Sequence, residues 1–504
     1  MELETNEVAQ TTAKRRVMTG AVAYTIRQVV VTAISALANI LLIRLLDPQA
    51  FGYIATSATV LTFLALLAEG GLGVYLIQQR HDPSDETLAE VATFQLSVYA
   101  ALHTLFTFVL LGLAMAGVAT KVTGFVWIAL FTIPLNVLRA STYIRLERSL
   151  LFHKIAFIEL TEAVAQTTVS LSLAFLGCGP WSILFGWLTK SAVGCLLAQR
   201  LAPWRFRPRR FRLTPEFRAG IKFGVEYYLP SLLISLYSFI NPVVVGSLLG
   251  LSTVGFVDRS IFIAGFPLTI LGPVVNKIFF PFVAKIQDDL EKVRAIVEEA
   301  AYWGSMLDKL FYLPLLLFTA ELLQLFFTAK WLAIIPVLRI FMLGNMVFGG
   351  VSQAIAPVLK GMGQTRLILK YTSYGFIVSW ALAYPLISHF GANGYAMITI
   401  IMWLGTLGTW LELRRHLHGV NILRPICIPL MAAGVAYAGT YYGLRQIGIS
   451  VHTPITLALG MVLAWLLYTG MLLLLDGKHI IYVAFRMLAL LRHPGPTATN
   501  ERGG

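Results

Sequence analysis

The sequence predicts an all-α, polytopic inner-membrane protein, and three observations carry that prediction. Only 13 % of the 504 residues are charged and 57 % are hydrophobic, whereas a soluble domain is usually about 25 % charged. Apolar segments of the roughly 20 residues needed to cross the hydrocarbon core recur along nearly the whole chain. Lys and Arg concentrate in alternate connecting segments, the pattern that fixes orientation in a bilayer.

Taken in order, the chain opens with a polar stretch ending in "AKRR" (Ala13–Arg16) and then a long apolar segment. No small-residue cleavage site follows a short core, so this is an uncleaved first span rather than a signal peptide. About fourteen spans are expected, at 18–46, 51–78, 88–117, 122–144, 155–177, 180–199, 224–249, 253–275, 296–318, 332–358, 367–388, 393–413, 425–444 and 455–475. The second holds "AEGGLG" (Ala68–Gly73), whose glycines let a neighbouring helix approach closely. Spans five and six are joined by a tight turn at "GCGPW" (Gly177–Trp181), and the longest loop on the far side is "TAELLQLFFTAKW" (Thr319–Trp331). After the last span, "KHIIYVAFRMLALLR" (Lys478–Arg492) reads as an interfacial helix, and "HPGPTATNERGG" (His493–Gly504) reads as disordered.

With the N-terminus placed inside, the cytoplasmic segments hold 29 of the 39 Lys and Arg residues and the opposite side only 4. Both termini are therefore expected in the cytoplasm, which needs an even number of spans. The same asymmetry accounts for the net charge of +14. Its densest run, "RLAPWRFRPRRFRLTPEFR" (Arg200–Arg218), mixes arginine with aromatic residues as a nucleic-acid surface does. It falls where the topology needs positive charge, so it is assigned to anionic lipid headgroups, with no nucleic-acid partner. Cys178, Cys195 and Cys427 lie in or beside apolar segments without metal or disulfide spacing.

The sequence also repeats itself. "RLLDPQAFGY" (Arg44–Tyr53) and "SLLGLSTVGF" (Ser247–Phe256) share Leu-Leu, an apolar residue, Gly and an aromatic residue in register, 203 residues apart. Asn39 and Asn241 precede the two copies at similar distances. Both copies enter a span from the same side, which predicts a parallel repeat about an axis along the membrane normal.

Six basic residues remain inside spans: Arg27, Arg139, Lys190, Arg259, Lys309 and Arg339. Acidic residues in or near spans include Glu69, Glu159, Glu162, Glu226, Asp258, Asp308 and Glu321. A charge at the bilayer centre costs about 2.5–3.5 kcal/mol on insertion scales, so such groups face a bundle interior or a wet cavity, or form interhelical ion pairs. Arg27 lies about ten residues into the first span, or ~15 Å deep, out of snorkelling reach. Glu69 is similarly deep. Arg139 and Glu159 are near enough to the cytoplasmic edge to snorkel. Asp258 and Arg259 are adjacent, and neighbouring helical residues point about 100° apart. They are expected not to face each other, one pairing with a neighbouring helix and the other facing a lumen. A net basic lumen suits an anionic cargo such as a phosphate or pyrophosphate, which Arg grips through two parallel donors.

A series of longer motifs runs in order along the chain: "LLDPQAFGY…LLAEGGLGVYLIQQ", "LERSLLFHKIAFIEL", "LGCGPWSI", "IKFGVEYYLP", "IFFPFVAKIQDD" and "PVLRIFMLGNM…KGMGQTRLIL". Over about residues 14–415 the chain resembles the bacterial polysaccharide transporters, flippases for O-antigen and exopolysaccharide precursors. These belong to the multidrug/oligosaccharidyl-lipid/polysaccharide exporter superfamily. The resemblance implies two six-helix lobes around a central cavity, at 18–200 and 224–415, joined by a basic linker at 201–223. Residues 1–17 form the N-terminal segment, 416–476 two extra helices and 477–504 a tail. It further implies alternating access and a polyprenyl-pyrophosphate-linked oligosaccharide as cargo, alongside membrane lipids. The pathway's polymerase and glycosyltransferases are the implied partners.

In related lipid II flippases arginines of the first and eighth helices matter for cargo. Arg27 and Arg259 occupy those helices, and Arg339 and Lys190 complete the expected substrate-binding set. Glu69, Asp258 and Glu226 are the candidates for gating or for coupling to a proton or sodium gradient. No cofactor, metal or catalytic residue is expected. One departure stands out: where the family often has an acid after the asparagine of span seven, this chain has Pro242. A lipid II flippase or drug exporter of the same superfamily is the alternative. A membrane polymerase or ligase is disfavoured, since no sizeable external loop is present to carry acid–base groups.

Overall fold

A backbone inside hydrocarbon must satisfy its own N–H and C=O groups, and a chain this apolar does so by forming helices. The computed structural model describes residues 27–28, 30–78, 82–115, 121–149, 151–204, 206–210, 214–286, 289–417, 419–421, 423–446 and 453–492. Among them no strand occurs, so the fold is all-α. The first nine helices are α1 (Val30–Leu45), α2 (Pro48–Glu69), α3 (Leu72–Gln78), α4 (Asp85–Met115), α5 (Lys121–Ala129), α6 (Thr132–Arg148), α7 (Phe152–Phe175), α8 (Trp181–Leu201) and α9 (Pro215–Ser238). There follow α10 (Gly246–Leu249), α11 (Leu251–Ile286), α12 (Leu290–Leu317), α13 (Thr319–Phe326), α14 (Ile335–Gly361), α15 (Thr365–Phe390), α16 (Ala392–His416), α17 (Leu423–Gln446) and α18 (Pro454–Arg492).

The described part of each of the fourteen expected segments is mainly helical, but the count of fourteen crossings is not confirmed. Among the described residues, ten helical stretches are long and apolar enough to cross a bilayer, or eleven if α12 and α13 form one bent span. The described part of α1 is short, α7 is diluted by Lys154, Glu159 and Glu162, and α15 by Tyr, Thr and Ser.

Several expected spans are interrupted, each for a local reason. Gly70 and Gly71, both left-handed (φ 57° and 71°), separate α2 from α3. Pro134 near the start of α6 cannot continue the ladder from α5. Pro242 sits in a π-helical turn at Asn241–Val245 between α9 and α10. The expected far-side loop is itself helical: α13 is bent by 77° from α12, and a 3₁₀ turn at Ala329–Ile334 follows. Gly177 and Gly179, at φ 77° and 56°, make the predicted tight turn between α7 and α8. At the C-terminus α18 runs on through Arg492 after a kink at Asp476. The N-terminal "AKRR" and the tail from His493 lie outside the described residues.

The chain divides into two compact units. The first comprises Met1–Ile261, Phe326–Val337 and Thr372–Met402. Its main core gathers Leu72, Leu76, Leu88, Ala92, Leu130, Ile133 and Trp204. Here the two copies of the repeat pack against each other through their glycines. A Cβ on Gly52 would lie 2.1 Å from the carbonyl oxygen of Leu251, and one on Gly255 would lie 2.0 Å from that of Pro48. Leu251 stands in the second copy where Pro48 stands in the first, so the contact is reciprocal. Trp331 is fully buried over this crossing. Its ring meets Phe51 and Phe256 edge-on at 5.4 and 5.8 Å, and its indole N–H donates to the Ile43 carbonyl.

The second unit comprises Phe262–Leu325, Leu338–Tyr371 and Trp403–Gly504. Its core includes Val297, Ala301, Val351, Val358, Leu359 and Trp410. Again glycine sets the closest approach: a Cβ on Gly304 of α12 would come within 2.8 Å of the Gly350 carbonyl oxygen of α14. Small residues at helix crossings are how helices associate where lipid offers no hydrophobic contrast. Large apolar side chains such as Phe108, Met115 and Leu474 are left exposed, as lipid-facing positions require.

Candidate functional site

Three polar constellations interrupt the apolar first unit, and each draws on several helices. The first centres on Arg27, just before α1. Its guanidinium meets the Glu159 carboxylate of α7 at 2.7 Å and donates to the Gln28 side chain at 3.0 Å. One turn further along α7, Glu162 accepts from Arg139 of α6 at 2.6 Å, and the Arg139 guanidinium also lies 5.1 Å from the centre of the Tyr143 ring. Gly194 of α8 makes room for this pair, since a Cβ there would fall 1.9 Å from the Glu162 carboxylate. Lys190, one turn earlier on α8, is exposed and lies within electrostatic reach of Glu159. Thus α6, α7 and α8 converge with Arg27 on two carboxylates and three cations. Arg139 and Glu159, expected to snorkel, are instead engaged in interhelical pairs. A buried carboxylate within reach gives an arginine more than a stretched path to the interface.

The second constellation surrounds Arg259. Its guanidinium grips Asp258 through two nitrogens, at 2.9 and 2.6 Å, and donates to Asn39 at 3.1 Å. It also stacks 4.5 Å from the centre of the Phe51 ring. This corrects the expectation that Asp258 and Arg259 point apart. Their Cα–Cβ bonds diverge, but the arginine stem is long enough to curl its head back onto the preceding carboxylate. In a poorly solvated site that direct pair wins. Arg259 therefore belongs to the second repeat copy by sequence and to the first by contact, through Asn39 of α1 and Phe51 of α2.

The third involves Glu69, the last residue of α2. The Tyr228 hydroxyl of α9 donates to its carboxylate at 3.0 Å, while its backbone carbonyl accepts from Gln95 of α4 at 2.9 Å. Gly71 and Gly224 bring α9 this close: a Cβ on Gly224 would lie 2.1 Å from the Gly70 carbonyl oxygen. The side chain of Glu226 lies outside the described residues.

Not all predicted site residues converge. Arg27 and Lys190 share the first constellation, Asp258 and Arg259 the second, and Glu69 the third. Arg339 belongs to the second unit, where it is exposed on α14. The expected set omitted Glu159, Glu162 and Arg139, which the sequence marks only as charges inside spans, and Asn39, which it marks only as preceding the repeat. In the loop after α8, Arg209 pairs with Glu86 at 2.6 Å, so this basic run also ties down the start of α4. Among the described residues no group of three His, Cys, Asp or Glu side chains could hold a metal ion.

Comparison with known proteins places this geometry. Residues 41–336 match the family described as polysaccharide biosynthesis protein. The succinoglycan biosynthesis transport protein ExoT of Rhizobium meliloti (strain 1021) is 25 % identical, over 91 % of this chain and 92 % of that protein. The lipopolysaccharide biosynthesis protein WzxC of Escherichia coli (strain K12) is 22 % identical, over 72 % of this chain and 73 % of that protein. Among solved structures, the lipid II flippase MurJ in an inward closed conformation superposes with a TM-score of 0.70 at 13 % identity, covering 91 % of this chain and all of that one. An inward-facing multidrug resistance MATE transporter of the MOP superfamily follows at TM-score 0.59 and 16 % identity, covering 78 % of this chain and 98 % of that one. The two structural likenesses establish a shared fold.

Proposed function

Since this chain belongs to the polysaccharide biosynthesis protein family, we propose that it is a flippase for a lipid-linked oligosaccharide in cell-surface polysaccharide synthesis. The cargo crosses from the cytoplasmic to the outer leaflet of the bacterial inner membrane by alternating access, with both termini cytoplasmic. The names of the relatives, transport and biosynthesis proteins for succinoglycan and lipopolysaccharide, support this. A lipid II flippase or a drug exporter would share the fold and differ in cargo.

One observation carries the mechanism: two arginines of the apolar first unit are held in readiness by acidic partners, Arg27 by Glu159 and Arg259 by Asp258. A guanidinium forks onto phosphate oxygens as it does onto a carboxylate. Exchange of the carboxylate for a lipid pyrophosphate keeps each arginine paired throughout, so no bare cation is left in hydrocarbon. Lys190 is exposed near Glu159 and adds positive charge for the same anion, whereas Arg339 is exposed on α14 of the second unit. Glu159 and Asp258 are the groups displaced in that exchange. Together with Glu69 and Glu226 they are the groups through which an ion gradient would act. Glycosyltransferases that build the lipid-linked unit and a polymerase that consumes it are the partners implied.

In cells lacking the protein, glycan-loaded carrier lipid accumulates on the cytoplasmic leaflet. Arg27→Ala and Arg259→Ala each lose export at unchanged protein level. Carrier appearing normally outside, with only polymer length altered, supports a polymerase or ligase instead. Full export by both variants rules out the arginine mechanism.

A further inference from the structure

The second compact unit buries an acid and a base that the arginine mechanism does not use. Asp308 and Lys309 are consecutive in α12 and neither has any solvent exposure. Lys309 Nζ donates to the Ser305 hydroxyl one turn back. Both carboxylate oxygens of Asp308 lack a hydrogen-bond partner among the described residues. One backbone donor, the N–H of Gly350, faces the carboxylate, and it lies inside α14, where it also serves that helix's own ladder.

The surroundings are tight and dry. A Cβ on Gly349 would lie 2.9 Å from Oδ2 of Asp308 and 3.0 Å from the Leu268 side chain. One turn before Asp308, α12 and α14 cross backbone to backbone at Gly304 and Gly350. The ionisable groups around the carboxylate are few. On α12 they are Lys309 and Tyr312, and Tyr312 donates to the Ala264 carbonyl of α11 at 2.6 Å. From α18 comes Tyr468, which donates to the Met306 carbonyl at 2.9 Å. On α14, Asn345 donates to the same Ala264 carbonyl at 3.0 Å. The described α17 residues packed inward are Ala432, Ala433, Ala436 and Thr440, and Arg424 at the start of that helix is taken by Asp476. The Tyr312 and Tyr468 hydroxyls and the Asn345 amide are thus committed elsewhere.

An ionised carboxylate with no side-chain donor and at most one shared backbone donor is the costly state in such a site. Moving one proton from the Lys309 ammonium to Asp308 gives a carboxylic acid and a neutral amine and removes both charges, with the proton conserved. A metal cation suits the site poorly: there is one carboxylate, no further free oxygen ligand, and an amine beside it that carries positive charge whenever protonated. We propose that Asp308 and Lys309 form a proton-binding site in the second unit. The site is neutral while α12 and α14 are closed at Gly304–Gly350, and exchanges a proton with water when that crossing opens. This does not depend on what the cargo is.

The test is infrared difference spectroscopy of the purified full-length protein in detergent, acidic minus alkaline, in H₂O and D₂O. Wild type shows a protonated-carboxyl band that shifts in D₂O and is missing from Asp308→Asn. Lys309→Met keeps a protonated-carboxyl band in its absolute spectrum at both pH values, so the band cancels from its difference spectrum. Spectra of Asp308→Asn identical to wild type overturn the proposal, whatever export that variant retains. If Asp308→Asn does not fold, Lys309→Met decides alone, and a band titrating as in wild type is the overturning result.

Discussion

Glu162→Ala strands the arginine that Glu162 holds. Its carboxylate is 2 % exposed and receives Arg139 at 2.6 Å, while the Arg139 side chain is 25 % exposed. Removing one partner of a buried pair typically costs about 3–5 kcal/mol, because the other charge is left uncompensated. Arg139 retains some exposure and the face of Tyr143, so the lower values apply, and the expected loss is about 3 kcal/mol. Replacing both members by apolar residues of similar size, Arg139→Met with Glu162→Leu, removes the stranded charge. That double variant is expected to lie within about 1 kcal/mol of wild type. The assay is reversible unfolding in mixed micelles with a denaturing detergent, followed by circular dichroism. A loss below about 1 kcal/mol for Glu162→Ala, or a double variant as unstable as the sum of its single changes, refutes the idea that the pair is held as a unit.

Two further expectations concern the architecture. Gly52→Leu drives a side chain into the Leu251 backbone 2.1 Å away, whereas Gly112→Leu on α4 meets nothing within 4 Å. The first is expected to lose most folded protein by size-exclusion chromatography and the second to keep it, and equal recovery of both removes the glycine crossing as a constraint. Outside the membrane, Asp289 caps α12 by accepting from the Lys292 backbone N–H at 3.1 Å, and the Lys292 side chain beside it holds its carboxyl below the ordinary 3.8. Because the folded value is the lower one, the stability this contributes is full above pH 3.8 and fades as pH falls through the depressed value. Unfolding of Asp289→Asn is expected to lose that acid-range slope, and an unchanged slope counts against the cap.

The helices were legible because each one expresses a local rule, twenty apolar residues or a glycine turn, that needs no partner. "AEGGLG" predicted a close helix approach and "GCGPW" a tight turn, and both hold, since glycine is chosen for its own backbone. The number of crossings was less legible: Lys154, Glu159 and Glu162 make α7 less apolar than a span usually is, and the two carboxylates are explained by Arg27 and Arg139 outside that helix, the lysine by the Leu201 carbonyl. Pairing was the least legible. The helical wheel separates Asp258 from Arg259 by about 100°, yet the guanidinium folds back through several rotatable bonds. Asn39 was visible only as a marker before the repeat, since nothing local says that an arginine 220 residues later will need an acceptor.

The repeat explains why only one of its copies carries the Asp-Arg pair. In the second copy Asn241 donates to the Val254 carbonyl at 3.3 Å, a neutral bond between parts of one copy. In the first, Asn39 donates to the Ser35 carbonyl and turns its oxygen to Arg259, so the corresponding bond runs between copies and carries a charge. Thr56 stands where the first copy would place its own arginine. A second guanidinium there would face a crossing already closed by Gly52 and Gly255 and would need a carboxylate that Ala55 cannot supply. The second copy is thus fastened within itself by a neutral bond that no anion can displace, and the contact between copies by an arginine that one can. If the cargo is a lipid pyrophosphate as proposed, its arrival competes with Asp258 for the same fork and draws Arg259 away from Asn39 and Phe51. Binding the anion and loosening the contact between the two copies are then one event. A symmetric pair of neutral contacts would offer the anion nothing to displace, and a symmetric pair of arginines would hold the crossing with two charges where one cargo headgroup is available.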